Sequence, residues 1–115
     1  MAVTIYHNPR CSKSRQTLQL IEEYNIDANV VEYLKTPPSK AELKNILKML
    51  NMTPRDLLRK KEAEYSAQGL DDMSLSDDQI IDIMIAHPKL IERPIVVTGG
   101  KAALGRPPEN VLDII

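Results

Sequence analysis

Val3-Thr4-Ile5-Tyr6-His7-Asn8-Pro9-Arg10-Cys11-Ser12-Lys13-Ser14-Arg15 is the stretch on which the reading of this chain turns. Its first five residues are β-branched, aromatic or histidine and are bounded by Asn8-Pro9, so Val3 to His7 reads as a strand. Asn8 and Pro9 turn the chain, and an amphipathic helical pattern follows from about Ser12. Ser12 or Ser14 is the expected cap, and Leu18, Ile21 and Tyr24 recur at three-residue steps. The single cysteine of the protein stands at this strand-to-helix junction. A thiol there lies among unpaired N–H groups and the positive end of the helix dipole, and both favour the thiolate. The same geometry binds oxyanions.

Outward from this stretch, Asn25 and Asp27 end the helix, and Asn29 to Leu34 reads as a second strand stopped by Thr36-Pro37-Pro38. Strand, helix and strand in so short a space make a βαβ unit with parallel strands. Ser39 and Glu42 form a capping box before Leu43, Ile46, Leu47 and Leu50 at helical spacing. Thr53-Pro54 opens a further helix containing Leu57 and Leu58, and Lys60 to Met73 reads as irregular. Ser76 with Gln79 caps a helix running to about His87, where Pro88 stops it. Ile95 to Thr98 and Lys101 to Leu104 read as a hairpin turned by Gly99-Gly100, and Glu109 to Ile115 as a short last helix. The order is β-α-β, a helical insertion, then β-β-α. The expected fold class is therefore α/β with a thioredoxin-like fold, as one domain spanning residues 1–115.

Composition narrows the function. Lysine and arginine total 15 against 16 acidic residues, a net charge of −1, so any anion site must be local rather than a property of the whole surface. The chain has no Trp and no Phe, hence no stacking platform of the kind single-strand binders use, and no nucleic-acid partner is expected. No apolar run approaches the length of a membrane span, and the N-terminus has no signal-peptide pattern, so no membrane association is expected. One cysteine forms no internal disulfide and fits a reducing compartment, so the expected location is cytoplasmic. Two histidines and one cysteine without compact spacing leave no metal site. No phosphate-binding glycine loop or dinucleotide fingerprint is present, and no bound cofactor is expected.

Cys11 is the candidate nucleophile, because a polar, proline-containing loop feeding a helix is a poor place for a core residue. Arg10, Lys13, Arg15 and His7 lie beside it in sequence. The spacing Cys11-x-x-Ser14 puts a hydroxyl where dithiol oxidoreductases carry their second cysteine. Ser14 can donate a hydrogen bond to the Cys11 sulfur but cannot resolve a mixed disulfide, so an external thiol must release whatever Cys11 binds. His7 and Ser14 are the candidate thiolate-stabilising residues. Arg59, Arg93 and Arg106 stand out among the arginines. Arg93-Pro94 and Arg106-Pro107 flank strand ends, and a guanidinium fork matches a tetrahedral oxyanion better than an ammonium group does. Arg59 follows Leu57-Leu58, which are expected to anchor its helix. Asn8, Arg10 and Ser14 join the three arginines as candidate substrate-binding residues.

Tyr6-His7-Asn8-Pro9, Cys11, Ser14-Arg15, Thr36-Pro37-Pro38, Leu57-Leu58-Arg59-Lys60, His87-Pro88, Arg93-Pro94-Ile95-Val96-Val97 and Arg106-Pro107 follow one another in an order that resembles the ArsC family from end to end. These are the glutaredoxin-coupled arsenate reductases, and the Asn8 to Ser14 loop is most similar to their YfgD-type branch. The resemblance implies that Cys11 is the nucleophile and that Arg59, Arg93 and Arg106 surround the oxyanion. It implies arsenate as substrate, a cysteine–thioarsenate adduct, glutathione as co-substrate and glutaredoxin as partner. Two alternatives share the fold. A redox-responsive regulator of the Spx type would bind RNA polymerase, though many such proteins carry the Cys-x-x-Cys that this chain lacks. A glutathione-dependent thiol oxidoreductase would act on another substrate.

Overall fold

The computed structural model describes residues 2–115. Four strands, β1 (Val3–His7), β2 (Asn29–Glu32), β3 (Ile95–Thr98) and β4 (Lys101–Leu104), form one sheet in the order β2-β1-β3-β4. β1 and β2 run parallel, while β3 is antiparallel to both β1 and β4. α1 (Ser12–Glu23) connects the parallel pair. This is the expected thioredoxin-like fold, and the chain divides into two compact units.

The first unit comprises residues 1–36 and 93–115. Alternation along β1 buries Val3, Ile5 and His7 and leaves Thr4 and Tyr6 only partly covered. Val3 and Ile5 pack with Ile21 of α1, Val96 of β3 and Val111 of the last turn into one apolar cluster. Fully burying a side chain such as Ile5 stabilises the fold by about 2 kcal/mol. The buried positions of α1 are Ser14, Thr17 and Ile21, so its inward face is narrower and more polar near the N-terminus than the expected Leu18-Ile21-Tyr24 stripe. Leu18 is half-buried and Tyr24 is 56% exposed. Tyr24 is the C-cap, and Asn25 adopts the left-handed conformation (φ 59°) that ends the helix. The cap at the other end is Cys11, not Ser12 or Ser14. β2 stops at Glu32, two residues early, because Lys35 and Thr36 N–H both turn back to the Glu32 carbonyl.

Gly99 and Gly100 both have positive φ, 56° and 75°, and form the two-residue turn between β3 and β4. Two adjacent left-handed residues match the natural twist of a tight hairpin, which is why this site takes Gly-Gly. The expected last helix is a 3-10 segment, Pro108–Asp113, starting one residue earlier on proline.

The second unit spans residues 37–92. α2 (Lys40–Leu50) begins at the Ser39/Glu42 capping box and buries Leu43, Ile46 and Leu47. The segment after Thr53-Pro54 is only a 3-10 turn, Pro54–Leu57, and Leu58 lies beyond it in a bridge to Ile91. Arg59 is therefore in extended chain, not on the helix expected for it, and its N–H donates to the Leu90 carbonyl. Lys60 to Met73, expected to be irregular, contains a short helix, α3 (Ala63–Ala67), with no buried residue. That explains why no apolar periodicity revealed it. α4 (Asp77–Ala86) starts at the Ser76/Gln79 capping box, buries Ile80, Ile81 and Met84, and ends at His87 before Pro88. Lys40 with Asp82 and Lys44 with Asp78 join α2 to α4 across exposed surface at 3.1 and 2.9 Å. No helix among the described residues is long and apolar enough to cross a membrane.

Candidate functional site

The loop between β1 and α1 is held from within. Cys11 N–H donates to the Asn8 carbonyl at 3.0 Å, closing a turn with Pro9 and Arg10 at its corners. Proline presets the first corner, and the Asn8 side chain accepts the Arg10 N–H at 3.0 Å in an Asx turn. Arg15 reaches back from α1 to donate to the Pro9 carbonyl at 2.9 Å. Cys11 then has extended backbone (φ −93°, ψ 123°), its carbonyl accepts the Arg15 N–H at 3.0 Å, and its side chain makes no capping hydrogen bond. The sulfur thus sits at the N-cap of a twelve-residue helix whose first-turn amides have no partner within the helix.

His7 and Ser14 meet beneath this loop. Burial of alternate residues along β1 turns His7 inward, where its Nδ1 lies 2.7 Å from Ser14 Oγ on the buried face of α1. Ser14 Oγ also accepts the Asn8 N–H at 3.0 Å. The hydroxyl expected to serve the sulfur therefore ties His7 to the start of the loop. Burial holds the His7 imidazole below its ordinary pKa of 6.5, against the pull of the Glu32 carboxylate and with further help from the Arg15 cation. His7 is accordingly neutral at neutral pH.

The arginines at residues 93 and 106 arrive through hairpin register. Ile95 faces Leu104 across β3 and β4, and Tyr6 faces Ile95 across β1 and β3. Continued two steps past the strand ends, the same register pairs position 93 with position 106 on one side and with position 8 on the other. The Gly105 N–H donates to the Pro94 carbonyl at 3.0 Å, which carries the pairing one residue past β4. Arg106 Nη1 donates to the Arg93 carbonyl at 3.3 Å and lies 4.0 Å from Cys11 Sγ. The Arg93-Pro94 and Arg106-Pro107 peptide bonds are both cis. A thiol at a helix N-terminus with a guanidinium beside it can bind an oxyanion and attack its central atom.

Arg59 belongs to the second unit, where its Nη1 lies 3.2 Å from Glu92 Oε1 and its Nε 3.3 Å from Glu62 Oε1. Arg10 is exposed and, with His7, Asn8, Pro9, Glu32, Leu34 and Lys35, lines a cavity of about 350 Å³ on the β2 side of the loop. Arg15, singled out in the sequence as a cation beside Cys11, and Thr17, which was not singled out, both contribute structurally. Arg15 braces the loop, and Thr17 extends the buried polar face of α1. A polar i, i+3 pair on an otherwise apolar face, Ser14 and Thr17, was the available clue.

The sequence model of the ArsC family matches residues 6–114. An arsenate reductase of Neisseria meningitidis is 49% identical over 110 residues, which is 95% of this chain and 94% of that protein. The uncharacterized protein YfgD of Escherichia coli is 54% identical over 114 residues, 98% of this chain and 96% of its own. Among solved structures, an arsenate reductase from Vibrio cholerae superposes with a TM-score of 0.96 at 52% identity, covering 100% of this chain and 98% of that one.

Proposed function

The chain belongs to the ArsC family, and from that premise we propose that it is an arsenate reductase in which Cys11 is the nucleophile and glutathione with glutaredoxin supplies the electrons. One observation carries the reading: Arg106 Nη1 stands 4.0 Å from the Cys11 sulfur at the N-cap of α1. Arsenate docks against the first-turn amides and the Arg93 and Arg106 guanidinium groups. The Cys11 thiol attacks arsenic; a sulfur–arsenic bond forms, an arsenic–oxygen bond breaks, and that oxygen leaves as water. Charge on the remaining oxygens is balanced by the arginines and helix amides.

The adduct still holds As(V). A glutathione thiolate attacks the Cys11 sulfur, a disulfide forms, and the sulfur–arsenic electron pair goes to arsenic, which leaves as As(III) and takes up protons as arsenite. Glutaredoxin then accepts the glutathionyl group and frees Cys11. Ser14, engaged with His7, cannot stand in for a resolving thiol, so the outside reductant is a requirement of the chain itself. The family resemblance gives Arg59 a part in the same chemistry.

The test is an assay with arsenate, glutathione, glutaredoxin, glutathione reductase and NADPH. NADPH oxidation that depends on arsenate is expected, and it should vanish in Cys11→Ser. Turnover that survives this substitution removes Cys11 from the mechanism. Arg59→Ala is expected to lower turnover, and wild-type rates in that variant would release Arg59 from its assignment.

A further inference from the structure

Gly105 is buried, and its φ lies outside the left-handed region, so nothing in its backbone requires glycine. Space does. A Cβ placed on it would collide with Thr17 Oγ1 and would stand 2.8 Å from Pro94 Cγ and 2.9 Å from Thr17 Cγ2. Such approaches are closer than real side chains make, so the missing side chain lets the end of β4 lie directly on α1. Thr17 is fully buried, and its hydroxyl lies 2.8 Å from the Lys13 carbonyl and 3.4 Å from the Gly105 carbonyl. The Gly105 N–H, on the other side, donates to the Pro94 carbonyl at 3.0 Å. Residue 105 is thus fixed against the second turn of the helix that Cys11 caps, and the next residue is Arg106.

We propose that Gly105 and Thr17 are positioning residues for the oxyanion site: their close contact sets how near Arg106 stands to Cys11. The argument rests on the reading of Cys11 and Arg106 as an oxyanion site given above. Arg106 Nη1 is 4.0 Å from the sulfur and 3.3 Å from the Arg93 carbonyl, so a shift of the 105 backbone moves both arginine-bearing segments relative to the thiol. A displacement of about 1 Å in a binding group can cost on the order of a hundredfold in rate. Gly105 touches no substrate atom; it acts through Arg106.

The experiment measures protection of Cys11 from iodoacetamide by arsenate, together with kcat and KM in the coupled assay. Gly105→Ala is expected to raise the protecting arsenate concentration and the KM by about tenfold or more. In an Arg106→Ala background the same change is expected to add less than about twofold, because the group it positions is gone. Thr17→Ala removes two of the three colliding atoms and leaves only Pro94 Cγ to give way, so the Gly105→Ala/Thr17→Ala pair is expected to regain part of the lost protection. Wild-type protection in Gly105→Ala, full additivity with Arg106→Ala, or no recovery in the pair would each overturn the proposal. If Gly105→Ala alone does not fold, the pair decides: a folded pair that is protected supports the positioning role, and a folded pair that is not protected overturns it. An unfolded pair also overturns it, since relief at Thr17 would then restore nothing. Failure of arsenate to protect the parent protein would instead strike at the oxyanion reading itself, before any variant is compared.

Discussion

Cys11 occupies the N-cap with no capping side chain, a position that serine, threonine, aspartate or asparagine would fill for stability. The helix thus forgoes a cap and leaves its first-turn amides open, as an anion site requires. Arg106 is the residue whose loss should be most informative beside Cys11. Arg106→Lys keeps the charge but loses the planar fork, and it is expected to raise the arsenate KM several-fold while Arg106→Ala raises it further. Equal KM values for parent and lysine variant would show that charge alone suffices. His7 provides a pH dependence. Its pKa is lowered on folding, so the folded state binds fewer protons than the unfolded state just below pH 6.5. Stability from this source is fully present above 6.5 and is lost as pH falls through the folded value. Denaturation midpoints should therefore drop more steeply below pH 6.5 in the parent than in His7→Asn. Parallel curves would contradict a buried, neutral His7. The depressed carboxylates of Asp56, Asp72 and Asp78 act only in more acid solution, through and below their ordinary 3.8.

Among elements, the β3–β4 hairpin does most to build the candidate site, because its two-residue turn sets the register beyond which the Arg106 side chain reaches the Arg93 carbonyl. Gly100 and Gly105 hold this element by different physics. A Cβ on Gly100 would meet nothing within 4 Å, but its φ of 75° is left-handed. Gly100→Ala is expected to cost about 1 kcal/mol in stability from backbone conformation alone, with little change in arsenate KM, as measured by urea denaturation and the coupled assay. A large KM change there would mean the register itself had slipped. The sequence made this hairpin legible through Gly-Gly between two apolar runs. It made α2 and α4 legible through capping boxes, which the structure contains in full. α3 and the 3-10 character of the segments after Thr53 and Pro107 escaped, since short turns leave no period to read and proline opens either kind of helix.

For the whole molecule, a core shared by β1, α1, β3 and the last turn ties the site to global stability. Ile5 is fully buried at the centre of that cluster, and Ile5→Ala is expected to cost about 3 kcal/mol, read as a shift of the denaturant midpoint. A loss below about 1 kcal/mol would mean that the cluster collapses onto the vacated volume. The net charge of −1 leaves no broad attraction for anions, so on the reading proposed above the attraction must come from local groups such as Arg106 beside Cys11.

By itself, the sequence determined the order of elements, the placing of Cys11 at a helix start and the absence of a second thiol, because turn chemistry, capping and residue counts are local. Tertiary structure alone decided which polar groups share an environment. Ser14 lies seven residues from His7 and bonds to it only because β1 and α1 bury those faces together. Arg106 lies 95 residues from Cys11, and only strand register with a side-chain-free contact at Gly105 brings the two within reach. Proximity between distant residues is a property of packing, and no local pattern encodes it.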